Sequence, residues 1–405
     1  MSVFRLVWQS FRHYLRRNLL VMFGVALSTA VLTGALFIGD SMRYSLEQIA
    51  LSRLGSITRL VTVHDRYFRA DLASDVARVT GIRIAPVFLT TGSAVSGGGE
   101  HRVNNVRFIG IDNQFESVSG NGIFTDIPDD EVIINESLAY QLQVGQGEVL
   151  LLRMARASLV PLNTPFVTDE ETTVSLRASV RIVASREQMG DFNLQNSQST
   201  PYNVFLSLDR LNRLMEMAGK ANRLLVCGDI RADRLVSALD SSLQPEDAGL
   251  IFRYIPATGE SEVSSDRIFM DETSSDLFSS VQGSKKIMSY FVNSIAFQNK
   301  SVPYSFVSSW NGIPLNTGEV AVNKWIADDL GIKPGDKVNI SYYEIGPLRQ
   351  LVEKDVSLQV RLVVPLSGEW GDPDLMPRIP GLADAGHCRE WRAGIPIDLD
   401  RIRQK

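Results

Sequence analysis

LLVMFGVALSTAVLTGALFIG, residues Leu19–Gly39, decides how this chain is read. The run holds no charged residue. It is long enough to cross a membrane as a helix, because a hydrocarbon core of roughly 30 Å takes about 20 residues at about 1.5 Å rise each. Its anchoring side chains are Leu19, Leu20, Phe23, Leu27, Val31, Leu32, Leu36, Phe37 and Ile38. Arg12, Arg16 and Arg17 precede it and Asp40 follows. Basic charge on the N-terminal side predicts a cytoplasmic N-terminus, with almost everything after residue 40 on the far side of the membrane. A cleaved signal peptide is the alternative. Its apolar region is usually about 7 to 15 residues and ends at a small-x-small site. This run is longer, and Ile38-Gly39-Asp40-Ser41 makes a poor site, so residues 18–40 are read as an uncleaved span.

The pattern continues on both sides. Val3, Phe4, Val7, Trp8, Phe11 and Leu15 recur at spacings of three and four, with Arg5, Arg12, Arg16 and Arg17 at other positions. That predicts a cytosolic amphipathic segment over 1–17. It either lies along the inner surface with Trp8 at headgroup depth or serves only as the positive flank. After the span, Met42, Leu46, Ile49, Leu51 and Leu54 keep an apolar face and Gly55 is a stop signal. A stalk helix over 41–56, continuous with the span, is expected.

Composition bounds the rest. The 405 residues allow two or three domains beyond the anchor, and 44% hydrophobic content supports folded cores. The net charge is −5 and no basic stripe follows residue 60, which argues against nucleic acid as a partner. Cys227 and Cys388 allow one disulfide; whether they pair is open at this point.

Beyond the stalk, Ile57–His64 reads as a strand, and Phe88–Ser96 with Arg102–Ile111 as a hairpin across Gly97-Gly98-Gly99. A repeat then organises the chain. EVIINESLAYQLQVGQGEVLLL from Glu131 matches EVAVNKWIADDLGIKPGDKVNI from Glu319 without a gap, at an offset of 188. Asn135/Asn323, Ala139/Ala327, Leu142/Leu330 and Gly147/Gly335 are among the identical pairs. Each unit predicts a short buried strand, an Asn N-cap, a short helix and a glycine turn into the next strand. Trp325 falls on that second helix, where core packing is the default. Asp65–Phe68 resembles Asp266–Phe269, and Ala178–Ser185 resembles Leu358–Pro365. Ordered self-similarity of this kind marks duplication. The expected fold is α+β: αβ module A over 57–190, a βα connector over 191–250, αβ module B over 251–370, and a Pro/Gly-rich tail over 371–405 leading back toward the membrane. The connector holds a helix capped by Ser207, with Leu208, Leu211, Leu214 and Met215 inward, then a buried strand and a second helix.

No catalytic constellation emerges. His13, His64, His101 and His387 form no HExxH pair, and no GxSxG elbow occurs. No P-loop pattern is found, so this chain is not expected to hydrolyse ATP itself. His387-Cys388 reads as a loop histidine beside a cysteine, Asp372 and Asp374 as a Pro-stiffened turn, and Asn193–Thr200 as a plain loop. No catalytic residue, cofactor site or metal site is assigned. Trp370 and Trp391 flank the tail, whose other reading is a partner surface.

Thr29–Leu46, the paired units from Val132 and Val320, and the tail PGLADAGHCREWRAGIPIDLDRI together resemble the permeases of the FtsX/MacB class of ABC transporters. The likeness covers essentially the whole chain and rests on structural motifs. It implies an extracytoplasmic domain on a membrane anchor, working by mechanotransmission. A cytosolic ABC ATPase drives the membrane helices, whose motion reaches a substrate or partner outside. Membrane lipid, the ATPase, further permease spans and a homodimeric arrangement are the partners implied, with no cofactor. The chain shows no second span after Gly39, so those spans are expected in another polypeptide or beyond this sequence. A stand-alone anchored binding protein is the rival reading. An extracytoplasmic hydrolase is a third, lacking a nucleophile–base pair.

Overall fold

The structure, a computed structural model, describes residues 3–63, 66–157, 173–195, 197, 199–256, 259–267, 270–310, 314–346, 350–371 and 398. Two helices lead. Helix α1 (Val3–His13) carries the amphipathic pattern and breaks at Tyr14; α2 (Leu15–Leu54) then runs for 40 residues without interruption. At about 1.5 Å per residue α2 is about 60 Å long, twice a hydrocarbon core. Among its residues only Arg53 is buried. Gly55 ends it at φ 56°, donating its N–H to Leu51 O at 3.0 Å. Positive φ is cheap only for glycine.

Strand β1 (Ile57–Thr62) starts two residues later. Then come β2 (Phe68–Arg69), α3 (Leu72–Thr80), β3 (Arg83–Ser96), β4 (Arg102–Ile111), α4 (Glu116–Ser119), β5 (Glu131–Asn135), α5 (Glu136–Leu142), β6 (Val149–Ala155) and β7 (Thr173–Ala184). They are followed by β8 (Asn203–Ser207), α6 (Leu208–Met215), β9 (Lys220–Ala221), β10 (Arg223–Cys227) and α7 (Ala232–Ser242). The order β3-β4-β8-β5-β7-β6 closes on itself, because β6 pairs back with β3 from Gly92↔Met154 to Ser96↔Leu150. The result is a six-stranded ring whose interior is filled by Phe88, Val106, Phe108, Ile134, Leu152 and Leu206. Gly92 permits the closure: a Cβ there would lie 2.0 Å from Arg153 O.

One edge of β3 serves two partners. Its first half, Arg83–Val87, pairs with β10, which pairs in turn with β1; its second half meets β6. Asn222 fills the gap between them. Its side-chain amide accepts from Leu89 N and donates to Leu89 O, both at 2.9 Å, standing in for a strand neighbour. Helices α3 and α7 cover the outer face of this extension through Leu72, Val76, Leu235 and Ala238.

The residues 191–250 are therefore not a connector between modules. Strand β8 lies between β4 and β5 inside the ring, and β10 lies between β1 and β3. A local strand–helix–strand pattern says nothing of where a strand inserts, and here it inserts in the middle. Helix α6 keeps the expected cap, with Ser207 Oγ accepting from Arg210 N at 3.4 Å, and buries Leu208, Leu211 and Met215.

The second unit begins with a separate hairpin, β11 (Leu250–Ile255) and β12 (Glu260–Ser265), and α8 (Glu272–Ser279). Its main sheet starts later than residue 251. It comprises β13 (Ile287–Phe297), β14 (Lys300–Trp310), β15 (Glu319–Asn323), β16 (Lys337–Ile345) and β17 (Leu351–Val364), with α9 (Lys324–Leu330), in the order β14-β13-β16-β17-β15. Trp325 is not core: it is 45% exposed, because the inward face of α9 belongs to Ile326, Ala327 and Leu330. The tail, with Cys388, Asp372, Asp374, His387 and Trp391, lies outside the described residues save for Gly371 and Asp398, as do His64, Asp65, Ile268 and Phe269.

The repeat holds at the level of hydrogen bonds. Strand β5 pairs with β7 in parallel and slips register between Val132 and Ile133; β15 pairs with β17 in parallel and slips between Val320 and Ala321. Asn135 Oδ1 caps Leu138 N at 3.3 Å, and Asn323 Oδ1 caps Ile326 N at 2.8 Å. Gly147 N donates to Val180 O and Gly335 N to Val360 O, each at 2.7 Å, with φ 87° and 99°. Ala139, Leu142, Ala327 and Leu330 are buried. The two asparagines differ in what else they hold. Asn135 also donates to Asp191 Oδ1 at 3.0 Å and Pro201 O at 2.8 Å, and accepts from Asn203 N at 3.1 Å. Truncating a cap costs about 1 kcal/mol, whereas stranding several buried partners adds about 1–3 kcal/mol. Asn135→Ala is expected to lower stability by about 3 kcal/mol and Asn323→Ala by about 1 kcal/mol in denaturant titrations of the full chain.

Candidate functional site at the stalk joint

The site is where the long helix enters the ring. Only Gly55 and Ser56 separate α2 from β1. The φ of 56° with ψ of −126° requires glycine at 55, and a Cβ there would also push the flexible end of Met189 aside, lying 2.6 Å from its Sδ. Ser56 Oγ donates to Val118 O at 2.8 Å. Arg53, 6% exposed, reaches from the last turn of α2 into the loop after β7, donating through Nη1 to Ser197 O at 2.5 Å and through Nη2 to Ser199 O at 3.3 Å. A guanidinium forked onto two carbonyls fixes both the rotation and the height of the helix end.

That loop is itself held by the ring. Asn203 Nδ2 donates to Gly190 O and Phe192 O, both at 2.8 Å, and Asp191 accepts from Asn135 and from Arg186 Nε at 3.1 Å. Arg107 of β4 donates to Asn193 Oδ1, and to Gln195 Oε1 at 2.8 Å. Burial pulls the Arg107 guanidinium below its ordinary range, and the charge of Arg53 adds to this. Neither arginine forms an ion pair among the described residues. Under the joint lies an aromatic cluster: Phe115 meets Phe124 at 5.1 Å and Phe192 at 5.7 Å, with Met189 and Val118 in the same core. A continuous path thus leads from helix to loop to strand, through groups whose alternatives are buried and unsatisfied.

The sequence-predicted residues fall in three places. The anchor residues lie exposed along α2, none of its apolar span being buried, and α2 is the one helix among the described residues long and apolar enough to cross a membrane. Arg12 lies in the last turn of α1, while Arg16 and Arg17 lie in the first turn of α2; Met42 and Leu46 are exposed on the stalk, and Ile49 and Leu54 are half-buried near the joint. The repeat residues sit in their own modules and converge on no shared site. Sequence reasoning missed Arg53 and assigned the 193–200 loop no role. The available signal was one arginine in the last turn of an apolar stalk, a glycine away from a strand.

Catalytic geometry is not seen here. Among the described residues no three His, Cys, Asp or Glu side chains could hold a metal. The hollow beside α5, lined by His101, Tyr140, Gln143 and Val183, is shallow and open. Cys227 is buried and unpaired among the described residues.

The described residues thus present an apolar helix long enough to span a membrane running directly into an αβ sheet domain. A family model, the MacB-like periplasmic core domain, matches residues 19–227, and the chain belongs to that family. The matched residues take in the span, the joint and the ring through β10. The periplasmic region of MacB from Actinobacillus actinomycetemcomitans is 11% identical over 55% of this chain and 86% of that one, with a TM-score of 0.30. The extracellular domain of the noncanonic ABC-type transporter YknZ from Gram-positive bacteria is 11% identical over 42% and 78%, with a TM-score of 0.28. At those TM-scores neither likeness bears on the fold. No curated protein matches.

One titration sits close to the joint. Asp112 caps the 3-10 turn Asn113–Phe115 that carries Phe115 into the aromatic cluster, accepting from Gln114 N at 2.9 Å. Burial pushes its carboxyl up to about 6, against the backbone N–H groups of Gln114 and Phe115 and with a smaller push from Asp209. A raised acid means that the folded state holds its proton longer than the unfolded chain. Its contribution to stability is greatest below about pH 4 and falls as pH rises through about 6. Asp112→Asn keeps the cap and removes the charge. Thermal unfolding in detergent should show the variant above wild type at pH 7.5, with the gap narrowing toward pH 5.

Proposed function

We propose that this chain is the membrane-anchored extracytoplasmic part of an ABC transporter permease. Its N-terminus lies in the cytoplasm and its bulk outside. A separate cytosolic ATPase moves the membrane helices, and α2 carries that motion to the outer modules, which push, release or activate a substrate or partner. One observation carries the reading: a helix of about 60 Å passes into a sheet strand across two residues. A flexible linker would dissipate displacement; a two-residue passage clamped by Arg53 delivers it. In this reading a separate ATPase subunit supplies the energy, and lipid and further permease spans complete the assembly.

The test is affinity purification of the full chain from its native membrane in mild detergent. The expected result is co-purification of a P-loop ATPase whose hydrolysis rate changes when the chain is removed. Recovery of the intact chain with other permease segments and no ATPase would overturn the proposal.

A further inference from the structure

The two modules follow one plan in matching register, closed in the first by β8 and, among the described residues, without a closing strand in the second. In the first, Ala94↔Leu152 joins β3 to β6, and Val149↔Ser179 joins β6 to β7. In the second, Ile295↔Ile340 joins β13 to β16, and Lys337↔Gln359 joins β16 to β17. Even the irregular residue of the hairpin recurs: Asn105 has φ 57° and Tyr304 φ 51°. In the first module β8 then bridges β4 and β5, parallel to β4 (Phe108↔Val204) and antiparallel to β5 (Ile134↔Val204). In the second the sheet runs from β14 to β15 and no described strand bridges them.

Burial records the difference. Phe108, Ile133 and Asn135 are each 0% exposed. Their counterparts Val307, Ala321 and Asn323 are half-buried. Asn323 keeps its cap, but the bonds by which Asn135 holds Pro201 and Asn203 have no described counterpart there. A seam with strand edges on both sides and an amide at its mouth is built for an added strand.

We infer that the seam between β14 and β15 is a strand-docking site whose occupant is residues 394–398 of this same chain. Residues 203–211, NVFLSLDRL, and 394–402, GIPIDLDRI, share Leu-Asp-Arg at 208–210 and 399–401. Ile395 and Ile397 stand where Val204 and Leu206 face the ring interior. Asp398 is already beside β14, donating its backbone N–H to Tyr304 Oη at 2.7 Å. Tyr304 lies nearer the hairpin than the register of β8 would put Asp398, so this contact supports proximity, and the register rests on the repeat. Pro396, in the place of Phe205, surrenders a ladder hydrogen bond, and Gly394 adds entropy. A closure made by these residues is therefore weaker than the first.

Hydrogen exchange on the full chain in detergent tests this. Amides of Val320–Asn323 and of the outer edge of β14 should exchange at least about tenfold faster in the double variant Ile395→Asp/Ile397→Asp than in wild type, with β4 and β5 unchanged. A synthetic peptide of residues 392–402 should restore the protection. Fast exchange of these edges in wild type overturns the inference. So does protection that survives the double variant, which would make a second copy or a partner strand the occupant. The result is independent of whether an ATPase co-purifies.

Discussion

The passage from Leu54 to Ile57 constrains everything else in this molecule. A helix that ends beside a strand must turn its backbone within two residues, and only a glycine at positive φ allows that against Met189. The turn alone would leave the helix free to swivel. Arg53 removes that freedom by placing its guanidinium on two backbone carbonyls, in a setting where losing both leaves a buried charge without these partners. The clamp sits on a loop that Asn135 and Asn203 tie to the ring, so the end of the anchor is referred to the most buried part of the protein.

Closure of the ring makes that reference firm. A ring has no free edge along which strands can slide, and its strands must shift together. Gly92, Asn222 and β8 each serve the closure in a different way: close backbone approach, a side chain in place of a strand, and an inserted strand. The second module repeats the plan with its last position unfilled by a described strand. The two related modules thus differ, among the described residues, in whether the sheet is closed.

Much of this was legible in the residues because it is local. An uncharged run of 21 residues is long enough to span a membrane, and with the apolar face that follows it and Gly55 it marks out α2 and its stop. The Asn caps and glycine turns of the repeat are short-range devices, and both copies use them as read. What could not be read is non-local. Nothing in β8 or β10 announces that each lies between strands distant in sequence, so a stretch with ordinary strand–helix alternation reads as a connector. Trp325 misled for a related reason: in a seven-residue helix the inward face is set by the sheet it lies on, not by the size of a side chain. Arg53 was overlooked because a single charge in a stalk has the same appearance whether it faces water or two carbonyls.

The central claim is that α2 and the first ring move as one body. Paired spin labels on Gln48 of the stalk and Tyr140 of α5, both exposed, measure it directly by the distribution of distances between them in the full chain. The account predicts a single narrow distribution that broadens when Gly-Ser-Gly-Ser is inserted between Gly55 and Ser56. A broad distribution in the uninterrupted chain, unchanged by the insertion, would contradict it.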